Sequence, residues 1–316
     1  MAVVRQPDVL GSSAAAREIT EVLARKRKSQ FRLIAERFAR NRAAIGGLVI
    51  LLLMTITVLL APIITHAITH IPAALDPSTT QSDDLLVGPS AVHPLGTDEL
   101  GRDIFSRLLY GGRVSLAVGV SAMLVAISIG ATVGSLAGYY GGLIDTLLMR
   151  LTDMILSVPY LLILAVLSIS FADGSFKAIV LLIAAFAWAG TSRIVRGEFL
   201  SLKNREFVLA ARTLGAGDIR LMLRHILPNA AAPIIVAATL QVGDNIISES
   251  VLSFFGFGLR VPLSSWGVLL NDARDFYHTA PLLLFAPGLS ILVTVLCVNL
   301  MGDGLRDALD PYMTER

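Results

Sequence analysis

Three stretches of this chain carry no charged side chain: Ala43 to Thr65, Val114 to Ile144 and Thr279 to Gly302. Each is long enough to cross the hydrocarbon layer of a bilayer, which takes roughly 20 helical residues. A water-soluble fold would have to bury all three, and the rest of the chain offers little polar surface to cover them. Of 316 residues, 54% are hydrophobic and only 16% charged, the balance of a polytopic membrane protein. The apolar runs Met154 to Ala172, Ala178 to Ser192 and the segment from Asn229 onward bring the expected spans to six. The sequence therefore predicts an all-α membrane protein.

The distribution of charge predicts the orientation. Residues 1–42 hold ten Lys/Arg against four Asp/Glu, densest at Arg25-Lys26-Arg27-Lys28, and read as a basic cytosolic tail. Residues 66–112 hold six Asp/Glu against two Arg and are expected outside. Residues 193–228, with seven Lys/Arg and three Asp/Glu, are expected in the cytosol, as is the tail from Asp303. Residues 43–316 then form one six-span domain. Its first apolar run lies behind the basic tail, deeper than the apolar core of a cleavable signal, and is expected to stay as a span.

Within the spans, Gly130, Gly134 and Gly138 have the four-residue spacing that lets helix backbones approach closely, although the general frequency of glycine in membrane helices accounts for them equally well. Tyr139 and Tyr140 suit the headgroup level. Pro159 is expected to kink the third span, and Pro281 and Pro287 are kink candidates in the sixth. Arg150 and Asp153, three apart on a helix, can pair.

Between the fourth and fifth spans lies the amphipathic stretch EFVLAARTLGAGDIRLMLRHILP, Glu206 to Pro228. Phe207, Ala210, Ala211 and Leu214 recur at helical spacing. Gly215 is expected to end that helix in the left-handed conformation, and Asp218 to cap a second one in which Ile219, Met222, Leu223 and Ile226 repeat the spacing. Neither helix is long or apolar enough to span a bilayer.

Several chemistries are not encoded. None of the four lysines, Lys26, Lys28, Lys177 and Lys203, follows a glycine, so no phosphate-cradling Gly-Lys-Ser/Thr turn is present. The chain is not expected to hydrolyse ATP. His66 and His70 could share a helical face, but two ligands do not close a metal site. The single cysteine, Cys297, allows no internal disulfide. The basic tail has no folded module beside it that would suggest nucleic-acid binding.

The Glu206–Pro228 stretch resembles the cytoplasmic coupling loop of ABC-importer permeases. Ala210, Ala211, Gly215, Leu227 and Pro228 match its pattern; Leu209 stands where that pattern has Glu, and His225 where it has Ile. HPLGTDELGRDIFSRLLYGGRVSLAVG (93–119), ESVLSFFGFGLRVPLSSWG (249–267) and PGLSILVTVLCVNLMGDGLRDALDP (287–311) resemble the C-type permease subunit of dipeptide/oligopeptide ABC importers. The resemblance runs from about residue 30 to 311.

That resemblance implies a type I ABC-importer permease fold in a bacterial cytoplasmic membrane. Its implied partners are a second homologous permease completing the pore, two ATPase domains and an extracellular substrate-binding protein, besides membrane lipid. ATP and Mg would be held by the ATPase subunits, and no cofactor by this chain. Glu206, Ala210, Ala211, Arg212, Gly215 and Pro228 would form the ATPase-coupling loop. Nickel and glutathione importers use the same permease type, so the cargo stays open.

Ionisable side chains inside a span usually face a cavity or a partner. Asp244 and Glu249 in the fifth span, with Asn245 four residues before Glu249, are candidates for the translocation path or gate. Glu249 matches an acidic position of the family; Asp244 and Asn245 replace its usual small residues. An interface role for Glu249 is equally compatible with the sequence. A proton-coupled secondary transporter using Asp244 or Glu249 is the rival reading, and a membrane scaffold a third; the loop argues against both.

Overall fold

The computed structural model describes residues 30–69, 84–171, 173–260 and 263–310. The Arg25–Lys28 cluster, His70 and residues 70–83 of the acidic segment lie outside these. Among the described residues the chain is helical apart from loops and one isolated bridge between Thr97 and Asp103.

The helices are α1 (Gln30–Phe38), α2 (Arg42–Leu59), α3 (Ala61–Thr69), α4 (Ile104–Tyr140), α5 (Gly142–Ser157), α6 (Tyr160–Phe171) and α7 (Phe176–Leu202). There follow α8 (Glu206–Thr213), the single turn α9 (Asp218–Arg220), a π-helical segment Leu221–Ile226, α10 (Ala231–Phe254), α11 (Trp266–Ala273) and α12 (Leu282–Leu309). Five of these, α2, α4, α7, α10 and α12, are long and apolar enough to cross a membrane. The pair α5 and α6 counts as a sixth only as one broken span, bent by 87°.

The boundaries follow from local chemistry. Asn41 caps α2 by accepting from the Ala44 amide, and Asp103 caps α4 by accepting from the Ser106 amide at 2.7 Å. Helix α4 thus begins ten residues before the charge-free run, because Arg107 is paired inside the protein rather than exposed to lipid. It stops at Tyr140, where Gly141 and Gly142 take positive φ and start α5 in a new direction. Pro159 breaks the third span outright, since it cannot donate the next helical hydrogen bond. Pro281 is no kink: it stands at the N-cap of α12, where a missing N–H costs little, while Pro287 lies inside that helix. Helix α7 runs on to Leu202, through the first ten residues of the basic segment expected to be loop.

The most extensive packing is between α4 and α7. Gly130, Gly134 and Gly138 lie on that seam: a Cβ at Gly130 would come within 2.8 Å of the Trp188 carbonyl, and one at Gly138 within 2.6 Å of the Phe199 Cβ. Removing the side chain is what allows the two backbones to meet. Helix α10 packs on α4 and α12, and α12 on α2. Away from these seams, Phe285, Leu289, Leu292 and Leu296 form an exposed row on α12, matched by Leu52, Leu53, Ile56 and Leu59 on α2. So much outward apolar surface suits lipid or a neighbouring subunit.

Candidate functional site

The loop from Glu206 to Pro228 is fully folded. At the end of α8 the Gly215 amide donates to the Arg212 carbonyl at 3.0 Å and the Ala216 amide to the Ala211 carbonyl at 3.1 Å. This double closure is a Schellman motif, and Gly215, at φ +85°, supplies its left-handed residue. The second helix is α-helical only over Asp218–Arg220. Gly217 occupies the N-cap position and Asp218 the first turn, after which the chain widens into a π turn closed by Leu227 N–H to the Met222 carbonyl at 2.8 Å.

Asp218 is therefore not the cap. Its carboxylate instead accepts from the Tyr139 hydroxyl at 2.5 Å, and that hydroxyl in turn accepts from Arg212 at 3.2 Å. Tyr139 is buried beneath the loop, whereas Tyr140 beside it is exposed. Both loop helices are thereby pinned to the last turn of α4. Val208, Leu221, Met222 and Ile226 pack inward against Tyr139, Val195 and Phe199. The periodic positions Phe207, Leu214, Ile219 and Leu223 point outward instead, Leu214 being 88% exposed. The stripe read from spacing was thus right in part: Met222 and Ile226 face the core and Ala211 packs at its edge, whereas in α8 Val208 rather than Phe207 turns inward, and Leu209, Leu214, Ile219 and Leu223 leave an apolar outer surface. Of the remaining loop candidates, Glu206, Ala210, Arg212 and Pro228 are exposed and Ala211 half-buried.

The candidates on α10 separate. Glu249 is completely buried, and its carboxylate accepts from Ser265 at 2.6 Å, Ser253 at 2.7 Å and Ser115 at 3.3 Å. Ser115 accepts in turn from the Trp266 amide at 3.1 Å, and the Trp266 indole N–H donates to the Leu108 carbonyl at 3.0 Å. Glu249 thus joins α4, α10 and the start of α11 inside one chain, with none of its surface exposed. Asn245, on the same face, is buried and donates to the Gly119 carbonyl of α4 at 3.1 Å. Asp244, one position round the helix, is exposed. With Tyr160, Gln241, Asn245 and Ser248 it lines a cavity of about 430 Å³ at the α5–α6 break.

Two further groupings escaped the sequence reading. Asp98, fully buried, accepts from Arg102 Nε and Arg107 Nη1, each at 2.7 Å, while Arg107 Nη2 donates to Asp272 at 2.8 Å. This cluster locks the loop before α4 onto α11. Burial, with Asp98 and Asp272 nearby, holds the neighbouring Glu99 carboxyl above the usual carboxylate range. Second, Asp153 pairs with Arg193 of α7 at 2.6 Å, and Asp145 with Arg196 at 2.5 and 2.7 Å. The expected pairing of Asp153 with Arg150 is replaced because α7 brings Arg193 alongside; Arg150 is exposed. The signal for the first was a motif dense in Asp, Glu and Arg over residues 98–107; the second joins residues 40 and 51 positions apart, and only the packing chose its partners.

Comparison with known proteins places this arrangement. The profile of the family "binding-protein-dependent transport system inner membrane component" matches residues 130–315, and that of the "N-terminal TM domain of oligopeptide transport permease C" residues 29–86. The chain belongs to the binding-protein-dependent transport permease family. Among its relatives, a dipeptide transport system permease protein of Alkalihalophilus pseudofirmus is 40% identical over 285 residues, covering 90% of this chain and 91% of that protein. A glutathione transport system permease protein of Pectobacterium atrosepticum is 44% identical over 231 residues, covering 73% of this chain and 76% of that one. A solved methionine ABC transporter, in inward-facing conformations, shares the fold at a TM-score of 0.54 and 16% identity, over 66% of this chain and 98% of that one. This member of the transport permease family is a multi-pass protein of the bacterial inner membrane.

Proposed function

We propose that this chain is one of two homologous permease subunits of an ATP-driven importer for short peptides. ATP and Mg are bound by separate ATPase subunits that dock on the Glu206–Pro228 loop, and a substrate-binding protein delivers cargo to the opposite end. The observation that carries this reading is the loop itself: it presents an apolar outer face of Leu209, Leu214, Ile219 and Leu223 while Tyr139 ties both its helices to α4. Such a unit can pass a push from an ATPase into the α4–α7 seam, which is what alternating access requires. The relatives named for dipeptide and for glutathione transport, both small peptides, support the cargo class.

Gly215→Val tests the coupling step. The substitution puts a branched side chain at φ +85°, which costs roughly 1–2 kcal/mol or more. Nothing lies within 4 Å of the new Cβ, so the fold has room for it and membrane insertion is preserved. The expected result is a folded permease that no longer co-purifies with its ATPases and takes up no peptide. Normal association together with normal uptake would remove the loop from this role.

A further inference from the structure

Asp244 is the feature of this chain that the transport fold leaves without a structural duty. Among the described residues no basic side chain meets its carboxylate; the arginines of neighbouring α7, Arg193 and Arg196, are already taken by Asp153 and Asp145. It sits 13 residues into the 24-residue helix α10, about 20 Å from the start at 1.5 Å per residue, near the middle of the span. An isolated carboxylate at that depth is retained where it faces a cavity or a ligand.

The cavity supplies the second half of the argument. Its wall is shared by Val158 and Tyr160, on either side of the break between α5 and α6, and by Asp244 and Ser248 of α10. Non-helical backbone at membrane depth is tolerated where it lines protein or water, and broken helices of this kind border substrate sites in transporters. The ends of α5 and α6 bring partial charges of opposite sign to the same place, so neither dominates. The formal charge of Asp244 sets the sign of the site. Gln241, Asn245 and Tyr160 add polar atoms, while Phe186, Ile155 and Leu161 keep the rest apolar.

We propose that Asp244 is a cargo-contacting residue that pairs with an organic ammonium group of the substrate as it passes the α5–α6 break. The inference rests on the importer reading. Either the α-ammonium of a peptide or a lysine side chain can supply the group, and both would be held by one charge-assisted hydrogen bond among neutral walls.

The test uses the assembled complex. A single cysteine is placed at the exposed cavity residue Ile247 in a Cys297→Ser background. Maleimide labelling of the solubilised complex is then measured with and without dialanine or alanyl-lysine. Protection is expected with Asp244, a loss of about tenfold or more in apparent affinity with Asp244→Asn, and recovery with Asp244→Glu. Equal loss for both peptides assigns the α-ammonium; loss confined to alanyl-lysine assigns the side chain. Protection unchanged by Asp244→Asn overturns the proposal, as does failure of that variant to assemble, which would make the residue a packing contact. Dialanine uptake into proteoliposomes by the unsubstituted complex is scored separately: protection without ATP-driven uptake would sink the importer reading and leave the site standing.

Discussion

The α4–α7 seam predicts that two identical substitutions differ in sign. In Gly134→Ala the new Cβ would lie 2.8 Å from the Val195 Cβ and 3.0 Å from the Arg196 amide nitrogen, with the Ser192 carbonyl closer still. Two of those three atoms are backbone of α7 and cannot rotate away, which places the cost near the upper end of overpacking, about 3 kcal/mol. Better helix propensity of Ala returns about 1 kcal/mol, leaving roughly 2 kcal/mol of destabilisation. Gly197 is exposed on the partner helix and nothing lies within 4 Å of a Cβ added there. Gly197→Ala should therefore stabilise by about 1 kcal/mol through propensity alone. At roughly 2 °C per kcal/mol for a chain of this size, Gly134→Ala should melt about 4 °C below the parent in detergent, and Gly197→Ala about 2 °C above it. Circular dichroism or a tryptophan-fluorescence melt reads both. A Gly134→Ala protein that melts at or above the parent temperature would refute the claim that backbone approach, rather than the general frequency of glycine in membrane helices, explains this spacing.

Two other outcomes follow from the geometry. Glu249→Ala removes the shared acceptor of Ser115, Ser253 and Ser265 and leaves a buried void, so it should cost roughly 2–4 kcal/mol and reduce the amount of assembled complex; normal stability with abolished uptake would instead place Glu249 on the path. For orientation, single cysteines in the Cys297→Ser background should be labelled from outside at Val92 and only from inside at Lys203; external labelling at Lys203 in sealed cells would reverse the proposed topology.

The sequence by itself determined the solvent of this protein, the number of its apolar segments and the place of its loop. Those rest on properties summed along the chain: the absence of charge over 20 or more residues, and the fact that only glycine takes the left-handed position of Gly215 without penalty. It also contained the seam at Gly130, Gly134 and Gly138, since a four-residue period puts small residues on one helix face. The tertiary structure decided the phase and the partners. Periodicity alone could not say that Val208 rather than Phe207 faces inward, because both fit an amphipathic helix whose outer face is itself apolar. Tyr139 reads no differently from its neighbour Tyr140 until the loop folds over it and Asp218 and Arg212 meet its hydroxyl. Asp153 had a plausible partner in Arg150 on its own helix, but α7 runs close enough to offer Arg193. Most of all, Asp244 and Glu249 look alike in sequence, two acids in one span. At 100° per residue their five-residue separation turns them to different sides of α10, one onto a sealed set of serine hydroxyls and the other onto an open cavity. Pairings of that kind depend on which helices become neighbours, and no local pattern carries that information.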